Sequence, residues 1–173
     1  FKNSVPVTEA KEDQAYYYEL VLRFFINRNF SHEISSKHTD VHPYLNEETI
    51  RLFDPNSDFD YENELAVFEK TFDSIETSLG EEAFKKYSVE KRKYEGAFSL
   101  PVFEAISTGL SFLVQDKLVQ GELVQDELEE MIRSKTKDLV DDPVFKDSYA
   151  TRARPIERTK MMIKIGRSLF SED

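Results

Sequence analysis

The spacing of apolar residues between Tyr61 and Leu79 constrains the fold of this chain more than any other feature. These residues follow one another at intervals of four and three: Tyr61, Leu65, Phe68, Phe72, Ile75 and Leu79. An α-helix places residues at such intervals on one face. We therefore predict a long amphipathic helix with this face buried. Gly80 is the predicted C-terminal cap, because glycine readily adopts the left-handed conformation that ends many helices.

Weaker forms of the same pattern predict helices along most of the chain. The predicted segments are 9–29, 46–53, 61–79, 81–87, Ser99 to about Gly121, 122–140 and a last helix beginning at Pro155. The first helix has one predicted apolar face made of Ala15, Tyr18, Leu22, Phe25 and Ile26. Asn46 is the predicted N-cap of the second helix. Segments 31–44, 54–60 and 88–98 are predicted as loops, and no segment shows the period-two alternation of a strand.

The composition agrees with a helical domain. The chain has 173 residues, of which 39% are hydrophobic, enough for the core of one domain spanning 1–173. Only 5 residues are Gly, fewer than sheets with tight hairpins ordinarily need. We predict an all-α fold, a compact bundle of about six or seven helices. Since the first residue is Phe rather than Met, we also expect a fragment of a longer protein.

The absence of Cys excludes disulfides, thiolate metal sites and Cys nucleophiles, and it fits a reducing compartment. No apolar run approaches the ~20 residues of a membrane-spanning helix. We therefore expect a cytoplasmic protein that does not enter a membrane.

The charge of the chain is divided unevenly. The formal net charge is -11, and residues 1–84 carry all of it, with 7 Lys and Arg against 18 Asp and Glu. Residues 85–173 hold 16 residues of each sign. A net acidic chain repels phosphate backbones at long range, which argues against the whole domain being a nucleic-acid clamp.

Basic residues are concentrated near the C-terminus. They are Arg154, Arg158, Lys160, Lys164 and Arg167. On a helix beginning at Pro155, the first two share one stripe and the last three form an adjacent stripe. We expect these cations to pair with the acidic first half of the chain. Contact with the phosphates of a nucleic acid, and contact with an acidic segment of another protein, are the two alternatives.

No constellation of residues predicts catalysis or metal binding. Carboxylates and amides between 54 and 64 resemble a calcium loop, but Phe59 and Leu65 occupy the positions that need Gly and a bidentate Glu. His38 and His42 lack the following Glu and the third ligand of a zinc site. Nucleophile-elbow and phosphate-loop motifs are absent. We predict no catalytic residue, no cofactor and no metal site.

Two charged residues lie in otherwise apolar segments. Arg23 interrupts ELVLRFF, and Glu104 interrupts LPVFEAISTGL. A charged side chain in such a setting is either buried with a partner or exposed on the polar stripe of its helix. We expect a structural role for both, through an Arg23–Glu104 pair or an Arg23–Glu19 pair.

Five short segments resemble, in order, a family of bacterial restriction and phage-defence proteins, the GmrSD-type endonuclease family. They are Glu19–Phe25, Tyr44–Glu47, Ala83–Lys85, Leu100–Ala105 and the basic segment Arg154–Ile165. Tyr17 departs from the family, whose members often carry an acidic residue there. In this family an N-terminal domain resembling the ParB/sulfiredoxin nuclease fold precedes a helical region. The resemblance implies that this chain is the helical C-terminal portion.

The family's catalytic Asp-Gly-Gln-Gln-Arg motif is missing, because none of the 5 Gly follows an Asp. The resemblance therefore implies a non-enzymatic accessory or regulatory domain of a defence nuclease or nucleotidase. Its implied partners are the N-terminal nuclease-like domain of the same protein, nucleic acid through the basic C-terminal helix, and a second copy in a homo-oligomer. The alternative is a free-standing helical module that binds another protein through an aromatic surface.

Overall fold

Nine α-helices and one small hairpin make up the described parts of the chain. The computed structural model describes residues 1–13, 15–121, 125–150 and 154–171. The helices are α1 (Glu9–Asp13), α2 (Tyr16–Arg28), α3 (His32–Lys37), α4 (Val41–Leu52), α5 (Tyr61–Leu79), α6 (Leu100–Gln120), α7 (Gln125–Asp138), α8 (Pro143–Ala150) and α9 (Pro155–Phe170). The hairpin strands are β1 (Lys86–Ser88) and β2 (Lys93–Glu95). The all-α prediction is confirmed, with more helices than the predicted number.

Helix α6 forms the centre of the fold. Its sequence is apolar or small on every side, and 13 of its 21 residues are buried. Ser99 precedes the helix, Pro101 lies in its first turn, and Gly121 ends it with a φ of 71°. Helices α2, α5 and α9 all pack against α6, and the α6–α9 contact is the most extensive. Pro101 and Gly121 suit the two ends of α6. Proline is tolerated in the first turn of a helix, and glycine readily adopts the left-handed conformation at its end.

A smaller apolar cluster lies beside the main core. It is formed by Ile26, Ile34, Tyr44, Leu45, Leu52 and Ile156. These residues bring together the end of α2, helices α3 and α4, and the start of α9. The cluster therefore fixes the segment before α3 against α9, where the candidate site lies.

Helix α5 has the predicted bounds, but its buried face is rotated from the predicted one. Gly80 is its C-cap, and the Asp60 side chain accepts a hydrogen bond from the Asn63 backbone N–H at 3.1 Å. Phe72 and Ile75 are buried as predicted, whereas Tyr61 is 58% exposed and Leu65 is 53% exposed. The buried side instead includes Val67 and the small polar residues Thr71, Ser74 and Ser78. Small side chains allow neighbouring helices to approach closely, which explains why this side faces inward.

The single helix predicted over 9–29 is two helices. Residue 14 is outside the described part of the chain, and Ala15 after it adopts a φ of 57°. The predicted apolar face is only partly correct, since Ile26 is buried but Tyr18 is 76% exposed. Buried positions of α2 include the polar residues Arg23 and Asn27.

The predicted loop over 31–44 is wrong. The Ser31 side chain caps α3 by accepting a hydrogen bond from the Ile34 backbone N–H at 3.3 Å. Helix α4 begins at Val41, so Asn46 lies inside it and is not an N-cap. Pro43 does not interrupt α4 because it lies in the first turn, where backbone N–H groups have no intrahelical acceptor.

The segments predicted as a short helix over 81–87 and a loop over 88–98 contain a 3-10 turn and the β1–β2 hairpin. The strands are antiparallel with Tyr87 opposite Tyr94, and the two rings lie 5.1 Å apart. Helix α8 was not predicted, and it begins at Pro143, just beyond the helix predicted over 122–140. The predicted start of α7 falls on residues 122–124, which are outside the described chain.

Candidate anion-binding cleft

Helix α9 carries the predicted basic stripe on one side and apolar residues on the other. Pro155 opens the helix, and Ile156, Met162, Ile163, Ile165 and Phe170 are buried. The apolar side packs on α6, so Lys164 and Arg167 on the other side are exposed. None of the described helices is long and apolar enough to cross a membrane.

Three of the five predicted basic residues line one cleft. Its volume is about 530 Å³, and its walls are formed by Phe30, His32, Lys160, Ile163, Lys164 and Arg167. We call this the α9 cleft. The three cations are neighbours because intervals of four and three residues place side chains on one helix face. The predicted stripe of Lys160, Lys164 and Arg167 is confirmed.

Among the described residues, the cations of the α9 cleft have no carboxylate partner in the acidic first half of the chain. Lys160 pairs with Glu157 of the same helix, with Nζ 2.8 Å from Oε1. The Arg167 guanidinium lies 4.0 Å from the centre of the Phe112 ring. Lys164 is exposed and makes no hydrogen bond or ion pair within the described ranges. The expected pairing with residues 1–84 is therefore wrong for these three residues.

Arg154 and Arg158 lie apart from the α9 cleft. Arg154 is exposed beside a second cleft that also contains His38 and Glu157. Arg158 is half-buried, and its Nε has no hydrogen-bond partner in the described chain. Burial raises the pKa of the Glu104 carboxyl, and the Arg158 charge opposes part of this rise. The five predicted basic residues thus form more than one surface.

The apolar wall of the α9 cleft comes from the opposite end of the sequence. Phe30 and His32 meet edge to face, with ring centroids 5.0 Å apart. Phe30 also packs against Tyr44 of the smaller core cluster, so its ring is held in place. Neither residue was predicted to line the site. Phe30 adjoins the segment 31–44 that was predicted as a loop, and His32 lies within it.

A buried polar network connects α9 to α2 and α6. Arg23 Nη1 donates to Glu104 Oε1 at 3.1 Å, and Arg23 Nε donates to Glu19 Oε1 at 2.9 Å. Both pairs considered from the sequence are therefore present. The Thr159 hydroxyl of α9 donates to the same Glu104 oxygen at 3.1 Å. Arg23 is 6% exposed and Glu104 is 1% exposed.

Burial raises the pKa of the Glu104 carboxyl, and the Arg23 charge and the Thr159 hydrogen bond oppose this rise. The network of Arg23, Glu104 and Thr159 fixes α2, α6 and α9 relative to one another and is closed to solvent. It therefore positions α9, and with it the α9 cleft, without offering a reacting group to a ligand.

The three His residues do not form a metal site. His38 Nε2 is hydrogen-bonded to Glu47 at 2.5 Å, and this contact lowers the pKa of Glu47. His32 lies in the α9 cleft, so it is separate from the pair considered from sequence. Among the described residues, no group of three His, Asp or Glu side chains is arranged to hold a metal ion.

The α9 cleft thus offers positive charge beside an aromatic and aliphatic wall, an arrangement suited to an anion that also carries an apolar ring system. Comparison of the chain with protein families, curated proteins and solved structures finds no match.

Proposed function

We propose that this chain is a helical accessory domain that holds the phosphates of a nucleic acid in the α9 cleft. We further propose that it belongs to a protein of the GmrSD-type defence class whose catalytic groups lie outside this chain. The observation that carries the first proposal is the convergence of Lys160, Lys164 and Arg167 on one cleft. Only Lys160 among them has a carboxylate partner in the described chain.

Phosphate is the anion that best fits these groups. Lys and Arg side chains are common donors to phosphate oxygens in protein–DNA complexes. Lys160 and Arg167 are separated by about 10 Å along the helix axis, so the stripe spans more than one phosphate of a strand. The net charge of -11 opposes binding elsewhere on the surface, so the contact is local.

Membership of the GmrSD-type defence class is supported by segments of α6 and α9 that resemble this family. The segment Leu100–Ala105 is the first turn and a half of α6 and contains Glu104. Glu104 accepts a hydrogen bond from Thr159 of α9. The basic segment that resembles the defence family lies in the same helix. Two of the resembling segments therefore cooperate in building the α9 cleft.

Titration of fluorescently labelled DNA at low salt tests the nucleic-acid proposal. The test variant is Lys164→Ala/Arg167→Ala, in which both residues are exposed. The matched control is Lys91→Ala/Lys93→Ala, which removes the same charge from the exposed hairpin and breaks only the surface Lys91–Glu95 pair. We expect the test variant to lose at least tenfold in affinity and the control to bind like the unmodified protein.

The salt dependence of binding provides a second measurement. Two or three neutralised phosphates predict a log–log slope between about -1.8 and -2.7 for duplex DNA. Equal losses in the test and control variants would mean that binding is not localised to the cleft. No binding by the unmodified protein at low salt would refute the nucleic-acid proposal.

A further inference from the structure

A second surface, on α2 and α5, has the properties of a docking site. The two helices each pack on α6, and aromatic rings provide much of the contact between them. Phe24 and Phe68 have ring centroids 5.3 Å apart, and Phe25 and Phe68 have centroids 5.6 Å apart. The helices therefore flank a shallow groove whose floor is aromatic.

The helices run in opposite directions along this groove. At one end Arg28 of α2 makes two hydrogen bonds of 2.9 Å to the Glu64 carboxylate of α5. Toward the other end Phe24 contacts Phe72, with centroids 5.3 Å apart. Phe1 of the same chain packs on Phe68 and Phe72, so the open part of the groove runs from Tyr61 to Phe68. This stretch of α5 is about 10 Å long and matches about two turns of a helix.

The outer part of the groove is apolar, with exposed Tyr and Leu side chains around half-buried Phe rings. We call it the α2–α5 surface and define it by Tyr18, Phe25, Phe59, Tyr61, Leu65 and Phe68. Its centre is continuous, because Phe59 lies 5.8 Å from Phe25 and 4.9 Å from Tyr61. Tyr18 is 76% exposed, beside a cleft of about 390 Å³ at the other end.

This surface is also the part of the predicted apolar faces that the fold leaves uncovered. Tyr18 and Phe25 belong to the face predicted for α2, and Tyr61, Leu65 and Phe68 belong to the face predicted for α5. The α5 set has the four-and-three spacing of one helix face, and the two α2 residues, seven apart, lie two turns from each other on one face. Contiguous exposed apolar residues with a polar rim are typical of a protein interface.

The rim of the α2–α5 surface is acidic on its α5 side, whereas Lys2 lies beside Tyr18 at the other end. Its exposed carboxylates are Asp58, Asp60, Glu62, Glu69 and Asp73, and residues 52–69 contain no Lys or Arg. None of these five pairs with a cation within the described chain. A partner therefore needs positive charge around an apolar centre to match this rim.

From this arrangement we propose that the α2–α5 surface docks an amphipathic helix of another protein whose apolar face is flanked by Lys and Arg. An apolar helix face fits a hydrophobic groove of this length, and aromatic side chains commonly supply most of the binding energy. A second copy of this chain is a poorer occupant, because a two-fold contact would bring two acidic rims together. The proposal uses different residues from the α9 cleft and is independent of the function proposed for it.

The test uses the whole chain and two model peptides of about 18 residues with leucines at helical a and d spacing. One peptide carries Lys at its polar positions and the other carries Glu. We expect the Lys peptide to bind, as measured by fluorescence anisotropy, and the Glu peptide to bind at least tenfold more weakly. Equal binding of both peptides, or binding of neither, would overturn the proposal.

Variants of exposed residues locate the contact. Tyr61→Ser/Leu65→Ser keeps every charge of the chain and should weaken Lys-peptide binding at least tenfold. Leu118→Ser/Val119→Ser is the matched control, since these residues are exposed apolar side chains at the far end of α6. Asp58→Asn/Glu62→Gln leaves the apolar residues intact and should reduce the salt dependence of binding.

Equal weakening by the Tyr61/Leu65 variant and its control would place the contact elsewhere and refute the assignment. Sedimentation of the unmodified protein tests whether a second copy of the chain occupies the α2–α5 surface. A monomer supports the proposal, whereas a dimer abolished by the Tyr61/Leu65 variant would identify a second copy as the occupant.

Discussion

Gly109 of α6 and Gly166 of α9 lie backbone against backbone where the two helices cross. A β-carbon added to Gly109 would overlap the Gly166 carbonyl, and one added to Gly166 would overlap the Ala105 carbonyl. This close approach lies within the most extensive helix contact of the fold. It also fixes the residues next to Gly166, including Arg167 of the α9 cleft.

The Gly109–Gly166 contact predicts that Gly109→Ala lowers stability, the opposite of the usual effect of this substitution inside a helix. Inside a helix, Gly→Ala ordinarily stabilises by up to about 1 kcal/mol. We expect Gly109→Ala to destabilise instead by about 1–3 kcal/mol, because the helices must separate to admit the methyl group. Urea unfolding measures the difference. Ser168→Ala, at an exposed position of α9, is the control and should leave stability within about 0.5 kcal/mol.

The rotated face of α5 predicts which of its apolar residues contribute to stability. Phe72 is 1% exposed and packs against Phe103 with ring centroids 6.0 Å apart. Phe72→Ala should cost about 3–5 kcal/mol of the free energy of unfolding. Leu65→Ala should change it by less than about 0.5 kcal/mol, since Leu65 is largely exposed. Similar costs at both positions would show that the face predicted from the sequence is the buried one.

The hairpin contains a residue with an unfavourable backbone conformation. Arg92 precedes β2 with a φ of 52°, in the left-handed region that favours glycine. We expect Arg92→Gly to raise the thermal midpoint, with a gain of up to about 1 kcal/mol. Lys93→Gly serves as the control, because Lys93 lies in β2, where glycine weakens a strand. A lower midpoint for Arg92→Gly would contradict the assigned conformation.

Local signals were sufficient for the bounds of the long helices. Asp60 and Gly80 delimit α5, and Pro101 and Gly121 lie in the first turn and at the end of α6. Local signals did not predict which side of α5 is buried. Thr71 has a polar side chain, and only close contact with neighbouring helices makes it a buried residue. A pattern of apolar and polar residues records only the type of each side chain. It therefore does not identify small polar residues that are buried between helices.

The candidate site was predictable only on the side formed by α9. The intervals between Lys160, Lys164 and Arg167 placed them on one stripe, as the structure does. Phe30 and His32 join them through long-range packing of the smaller core cluster, which no local pattern encodes. The Arg23–Glu104 contact was inferable because charges in apolar helices need partners, although only the fold shows that Arg23 contacts Glu104 and Glu19 together.

The buried network around Glu104 predicts strong coupling between its members. Arg23→Gln should cost about 3–5 kcal/mol at neutral pH, because it leaves a buried carboxylate without its cation. Glu104→Gln should cost less, since Arg23 keeps its contact with Glu19. The double variant should cost less than the sum of the single ones, with a coupling of about 0.5–3 kcal/mol. Denaturant unfolding of the four proteins measures this cycle.

The same network predicts how the cost depends on pH. Because the fold raises the pKa of Glu104, the stability from its protonated form is fully present below the unfolded pKa and is lost as pH rises through the folded pKa. Removing the Arg23 charge raises the folded pKa further, so the deficit of Arg23→Gln should grow from mildly acidic pH, near the usual pKa of Glu, to neutral pH. In the Glu104→Gln background the effect of Arg23→Gln should vary little with pH. A deficit of equal size at both ends of this range would show that the two residues do not interact as charges.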